Sequence, residues 1–201
     1  MVERASASRV ISRGRKVVGE KTPPSPGNRP RDVLIANQHP HLRLNRRAVI
    51  RVIHVLDACF AKAANSSVPR NSSFLSCPPG ELSLVFLTDK ALAELHGDFL
   101  DDPTTTDVIT FEGHQAANVA GEVCVSVDTA AAYAKEHRRD FAEELTLYLV
   151  HGWLHLAGYD DLRPALKRVM RRAENRALQL LRANNAMPEF SLRPGSSQRR
   201  T

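Results

Sequence analysis

His151-Gly152-Trp153-Leu154-His155-Leu156-Ala157-Gly158-Tyr159-Asp160-Asp161 joins an apolar helical run to a set of metal-ligating side chains. Histidines four residues apart leave one face of a helix one turn apart, so two imidazoles can hold one ion. Gly158 can take the left-handed conformation that ends a helix. The backbone then turns and brings Asp160 or Asp161 back towards the same ion, with the spacing His-x3-His-x2-Gly-x2-Asp. A His pair at this spacing also occurs as two hydrogen-bonded core residues; the glycine stop and the acidic pair weigh for a metal. The zinc-protease helix reads His-Glu-x-x-His, with Glu as general base. Position 152 here is Gly, which takes no proton, so the pattern is metal hydrolysis without the protease's base.

Upstream, Asp140-Phe141-Ala142-Glu143 resembles a capping box with Asp in the cap position and opens this helix. Phe141, Leu145, Tyr148, Leu149 and Leu154 cover much of its surface, and a helix apolar nearly all round is central in its fold. Ligands on such a buried rod are held rigidly. Downstream, Leu162 to about Arg182 reads as the last helix, with Pro164 tolerated in its first turn. Leu166, Val169, Met170, Ala173, Ala177, Leu180 and Leu181 form its core stripe. Lys167, Arg168, Arg171, Arg172 and Arg176 form a basic remainder that begins just after the metal motif. That face is the best candidate for phosphate contact, weighed against an ordinary solvated face.

Residues 32–37, 81–87, 106–111 and 120–127 read as strands, the last two antiparallel around a turn over 113–118. Asn45 caps a helix to about Ala64, with Val49, Val52, Ile53, Leu56 and Phe60 on its apolar face. His54 lies beside that stripe without catalytic work. Thr88 caps a short helix holding Leu92 and Leu95, and Asp128 caps one through about His137. Residues 65–80, rich in Ser, Asn and Pro, form a long loop. Asp107 and Glu122 are acids near strands; each is a candidate for lining the cleft or orienting a ligand histidine, and equally for a turn or edge role. The order of isolated strands, helices and one hairpin makes an α+β domain: a mixed sheet of about four strands packed with about five helices, the metal site on a central helix.

The 201 residues are 42% hydrophobic, enough for one domain with a core. Residues 1–30 lack apolar periodicity and hold Pro23, Pro24, Pro26 and Pro30, which reads as a disordered basic tail and linker. Residues 31–183 make the folded domain and 184–201 a second disordered basic tail. The net charge of +6 suits a polyanionic partner, though charge alone is weak evidence. Cys59, Cys77 and Cys124 are odd in number and far apart, which argues against a disulfide framework or a Cys-rich zinc site and fits a reducing cytosol. No apolar run approaches membrane-spanning length, and the N-terminus lacks the apolar segment of a signal peptide, so a cytoplasmic location is expected. Asn65-Ser66-Ser67 and Asn71-Ser72-Ser73 then match the glycosylation pattern by chance.

From about residue 32 to 182 the chain resembles the YbeY family of bacterial endoribonucleases and ribosomal RNA maturation factors. Residues 151–160 match its signature closely, Thr106-Asp107-Val108-Ile109-Thr110-Phe111 resembles its second block, and Gly121-Glu122-Val123 a third. Three blocks in the right order are much more specific than one motif. The resemblance implies a mixed sheet of about four strands packed with helices, in agreement with the reading of the elements. Two positions depart from the family. Its third signature histidine is here Asp161, and the arginine it tends to carry a few residues before the Thr-Asp block is here Leu100. Two neutral His plus Asp leave a divalent site near about +1 rather than about +2, so bound water is activated less. The change at Leu100 bears on catalytic strength or substrate positioning.

What the resemblance implies is a single-strand-specific, metal-dependent endoribonuclease in ribosomal RNA maturation, at the 3′ end of small-subunit rRNA, and in ribosome quality control. His151 and His155 are the expected catalytic pair. With Asp161 they are expected to bind one Zn²⁺ per chain, water in the fourth position and Asp160 the other candidate for third ligand. Two His and a carboxylate also suit iron, nickel or manganese. The expected partners are single-stranded RNA, ribosomal RNA precursors and the small ribosomal subunit with its proteins; neither DNA nor a membrane is expected. The alternative is a non-catalytic ribosome assembly factor whose structural metal is closed by a fourth protein ligand, Asp160. Gly152 argues against the third reading, a metallopeptidase.

Overall fold

The computed structural model describes residues 10–12, 30–64, 75–100 and 106–194. In chain order the elements are β1 (Val10–Ser12), β2 (Val33–Asn37), β3 (Leu42–Leu44), α1 (Arg46–Ala64), β4 (Glu81–Leu87), α2 (Asp89–Leu100), β5 (Val108–Glu112), β6 (Val119–Ser126), α3 (Val127–Glu136), α4 (Phe141–Leu156), α5 (Pro164–Ala183) and β7 (Phe190–Leu192). The α+β class is as expected: β2, β4, β5 and β6 form a mixed sheet packed with five helices. The sheet order is β1-β5-β6-β4-β2. Strands β2, β4 and β6 run parallel, and β5 pairs antiparallel with β6, Thr110 opposite Val123.

Strand parity divides the core. Val108 and Val123 point to the face that receives α4, while Ile109, Phe111 and Cys124 point to the other, where Leu92 of α2 covers them. Helices α1, α4 and α5 pack together on the first face. Every residue of α4 from Glu144 to Leu156 is buried. Its start is set locally: Asp140 Oδ1 accepts from the Glu143 N–H at 2.7 Å, as the capping pattern predicts. Its position is set by Gly152, where an added Cβ would lie 2.3 Å from Val123 Cγ1 and 3.1 Å from Val108 Cγ1. Only a glycine lets the helix approach the sheet this closely.

Several expectations need correcting. Asp128 does not cap α3; the Ser126 hydroxyl does, accepting from the Thr129 N–H at 3.0 Å. Asp128 instead accepts from the Asp89 N–H and pairs with His39. Within the segment read as an N-terminal tail, Val10–Ser12 adds a short parallel strand along the outer edge of β5, where a row of backbone groups is open to pairing. The C-terminal tail also begins later than Asn184. Residues 184–194 fold back, and β7 pairs antiparallel with β3 because Ala186 and Phe190 bury their side chains, Phe190 against Phe86 at 5.7 Å. The loop expected over 65–80 and both glycosylation-like triplets fall mostly or wholly outside the described residues.

Candidate metal centre

Helix α4 presents His151 and His155 from its last turns, and the turn after it supplies the rest of the site. Gly158 has φ +93°, as its place at the helix end predicts. Backbone bonds from the Gly158 N–H to His155 O and from the Tyr159 N–H to Leu154 O close the helix. This reversal brings Asp161 over the imidazoles. His151 Nε2 and His155 Nε2 lie 3.0 Å apart, and Asp161 oxygens lie 3.9 Å and 3.7 Å from them. All three residues are buried, and their ligand atoms lie within 4.8 Å of one another.

The outward nitrogens settle which atoms face the centre. His151 Nδ1 donates to the Glu174 carboxylate at 2.7 Å, and His155 Nδ1 donates to Tyr159 O at 3.0 Å. Both acceptors are oxygens without a proton, so both Nδ1 atoms carry hydrogen and both Nε2 lone pairs point inward. Two lone pairs 3.0 Å apart repel unless a cation lies between them. A tetrahedral ion with ligand bonds of about 2.0–2.1 Å separates its nitrogens by about 3.3 Å, close to this spacing. The donor set therefore fits a divalent metal. Beside it lies a cavity of about 30 Å³ lined by Asp107, Tyr148, His151, Asp161, Lys167 and Arg171 among others, large enough for a water molecule.

Burial and charge treat the two imidazoles differently. Burial pulls His151 down, but the hydrogen bond to Glu174 and the charges of Asp107, Glu174 and Asp161 outweigh it and hold the group above its ordinary value. Burial and the neighbouring His151 push His155 down to about 4. Protonation is thus favoured on His151 and disfavoured on His155.

The remaining candidates separate clearly. Asp107 is buried and lines the cavity, its Oδ1 accepting from the Val108 N–H at 3.0 Å. Glu122 lies on the opposite face of the sheet, on the side of Cys124, and takes no part in the centre. Asp160 Oδ1 accepts from the Leu162 N–H at 3.0 Å and is not among the converging donors. Leu100 is the last residue of α2. His54 is engaged with Arg31 O at 3.0 Å, in keeping with a supporting role. Of the basic residues of α5, Lys167 and Arg171 line the cavity; Arg168 and Arg172 do not. Glu174 was not legible as a site residue, although an acid on the buried side of α5, one turn from Met170, was a signal.

No helix among the described residues is long and apolar enough to cross a membrane. A family model described as Endoribonuclease YbeY matches residues 41–182. The chain is 34% identical over 102 residues to an Endoribonuclease YbeY of Parabacteroides distasonis, covering 51% of this chain and 72% of that one. It is 41% identical over 106 residues to an Endoribonuclease YbeY of Protochlamydia amoebophila, covering 51% and 71%. A Thermotoga maritima protein solved in solution is similar over 82% of this chain and 99% of its own, with 19% identity and a TM-score of 0.48. The match of the family model over most of the folded region, signature helix included, places the chain in the endoribonuclease YbeY family.

Proposed function

We propose that this chain is a zinc-dependent endoribonuclease that cuts single-stranded ribosomal RNA precursors, at the 3′ end of small-subunit rRNA and in ribosome quality control, in the cytoplasm. The nuclease domain runs from about residue 31 through β7, and its partners are the precursor RNA and the small subunit with its proteins. The observation that carries this reading is the pair of inward Nε2 lone pairs closed by Asp161, next to a cavity the size of a water. His151, His155 and Asp161 would hold one Zn²⁺, which supplies Lewis-acid polarisation of a phosphoryl oxygen and a lowered pKa for a water. Glu174 and the Tyr159 carbonyl keep the imidazoles in the ligating tautomer. The attacking oxygen is either that water or the RNA's own 2′-hydroxyl; a cyclic phosphate on the product excludes direct water attack as the sole route.

The assembly-factor reading needs a fourth protein ligand to close the metal, with Asp160 as its candidate. Its carboxylate is turned to the Leu162 N–H instead, which favours a site with an open position. Geometry adds to the argument of Gly152 against a peptidase, since any side chain at 152 would point into the sheet and a base would have to come from elsewhere.

The test is cleavage of a single-stranded ribosomal RNA fragment by zinc-loaded wild type, beside His155→Ala and chelator-treated protein purified identically. Cleavage lost in both controls and restored by zinc supports the reading. Equal cleavage in all three means contaminating nuclease, and no cleavage by zinc-replete wild type overturns the enzymatic assignment.

A further inference from the structure

The cavity beside the candidate ligands holds an unusual balance of charge. Its walls include the carboxylates of Asp107, Asp161 and Glu174. A divalent ion alone would leave these three acids one negative charge in excess, and a phosphodiester anion would be repelled. Lys167 and Arg171 line the same cavity and reverse the sign. They are four residues apart on α5, in one stripe with Met170 and Glu174, so helical geometry stacks their heads one turn apart along the cavity wall. Lys167 is half-buried; Arg171 is exposed and also lines a larger groove of about 680 Å³, where Arg139 and Arg182 are paired with Glu144 and Glu143, so Arg171 is the cation at the mouth shared with the cavity. Arg168 and Arg172 project to solvent away from both depressions.

We infer that Lys167 and Arg171 form a two-point phosphate clamp, Lys167 on the phosphodiester at the metal centre and Arg171 on the next phosphate where the strand leaves the cavity. The two are positioning residues: they hold the backbone and transfer no proton. The clamp rests on the RNA-cleaving reading of the site, and it assigns substrate contact to two of the six basic residues of α5. An ion-paired point charge and a bidentate guanidinium are the usual means of holding successive phosphates.

The experiment is fluorescence anisotropy of a labelled single-stranded 2′-O-methyl RNA against the full, zinc-loaded chain across a range of KCl concentrations. Zinc content and circular dichroism are measured on every variant. Lys167→Ala and Arg171→Ala are each expected to weaken binding about tenfold and to flatten the slope of log K against log salt by about 0.7, one phosphate contact each. Lys167→Arg and Arg171→Lys keep the slope, and Arg168→Ala leaves it unchanged. Alanine variants that bind with the wild-type affinity and slope overturn the clamp, as does loss of zinc from Lys167→Ala, which would make that residue structural. Wild type that binds RNA without cleaving a 2′-hydroxyl substrate sinks the nuclease reading and leaves the clamp. Wild type that cleaves while the alanine variants bind equally well sinks the clamp alone, and wild type that neither binds nor cleaves sinks both.

Discussion

Glu174 of α5 accepts a 2.7 Å hydrogen bond from Nδ1 of His151 on α4. A helix that contributes no candidate ligand thus sets the orientation and tautomer of one. Carboxylates in this position raise ligand basicity, and losing one typically costs 10–100-fold in metal affinity. Glu174→Ala is expected to fall in that range, measured by competition with a chromophoric chelator. Glu174→Gln keeps the acceptor but not the charge and should lose less. Wild-type affinity in Glu174→Ala would remove the residue from the centre.

Asp161 and Asp160 are adjacent, yet only the first converges with the histidines. Asp161→Asn should weaken zinc binding by at least about tenfold, because a neutral amide is a much poorer ligand than a carboxylate. Asp160→Asn keeps an oxygen able to accept from Leu162 and should retain stoichiometric zinc by elemental analysis. Retention of zinc at unchanged affinity by Asp161→Asn would exclude it as the third ligand.

Gly152 sits where α4 crosses β5 and β6. A Cβ there meets Val123 Cγ1 at 2.3 Å, so Gly152→Ala must push the helix off the sheet. Overpacking of this kind costs about 1–3 kcal/mol, against a small gain in helix propensity. Urea unfolding should show a lower midpoint with an unchanged m-value.

Metal binding should release protons in a defined pH window. His151 is held above its ordinary value and His155 is pushed down to about 4, so near pH 6.5 the metal-free pair carries its proton on His151 rather than His155. An ion taking both Nε2 atoms must displace it. Affinity therefore falls as the pH drops through the raised value of His151, and is constant above it. Calorimetry at pH 6.5 in buffers of different ionisation enthalpy should show net proton release on metal binding, decreasing as the pH rises through the raised value of His151. For the metal-free fold the signs are opposite. His151 contributes stability that is present below 6.5 and lost as the pH rises through its raised value. His155 contributes stability present above 6.5 and lost as the pH falls to about 4.

Asp57 ties the back of α4 to the start of the domain. Its carboxylate accepts from Arg31 at 2.5 Å and 2.9 Å and from Trp153 Nε1 at 3.1 Å. The Arg31 side chain is only 8% exposed. Asp57→Ala leaves that guanidinium buried without its carboxylate and should cost about 3–5 kcal/mol. Trp153 is the only tryptophan, so its emission reports the change directly.

Most of what was legible in the sequence is local. The i, i+4 spacing of His151 and His155, the Asp140 cap, the Gly158 stop and Pro164 in the first turn of α5 depend on backbone geometry within a few residues, and each is where the pattern puts it. Alternation likewise placed β4 over 81–87 and paired β5 with β6 antiparallel. The cap of α3 was misplaced because Ser126 and Asp128 are both competent caps, and only the path of the chain out of β6 selects the hydroxyl.

Residue spacing determines direction inside one element: the period of the helix aims two imidazoles together, and the period of the strand sorts side chains to two faces. It does not determine which element meets which. The bond from Glu174 to His151, the choice of Asp161 over Asp160, the exile of Glu122 to the far face and the return of Phe190 onto Phe86 all join residues across elements or through a turn. They depend on how α4, α5 and the sheet pack, and that packing is set by long-range burial summed over the core. Gly152 links the two levels. Its lack of a side chain is written in the sequence, but the tertiary fold makes it the point where the metal-binding helix touches the sheet.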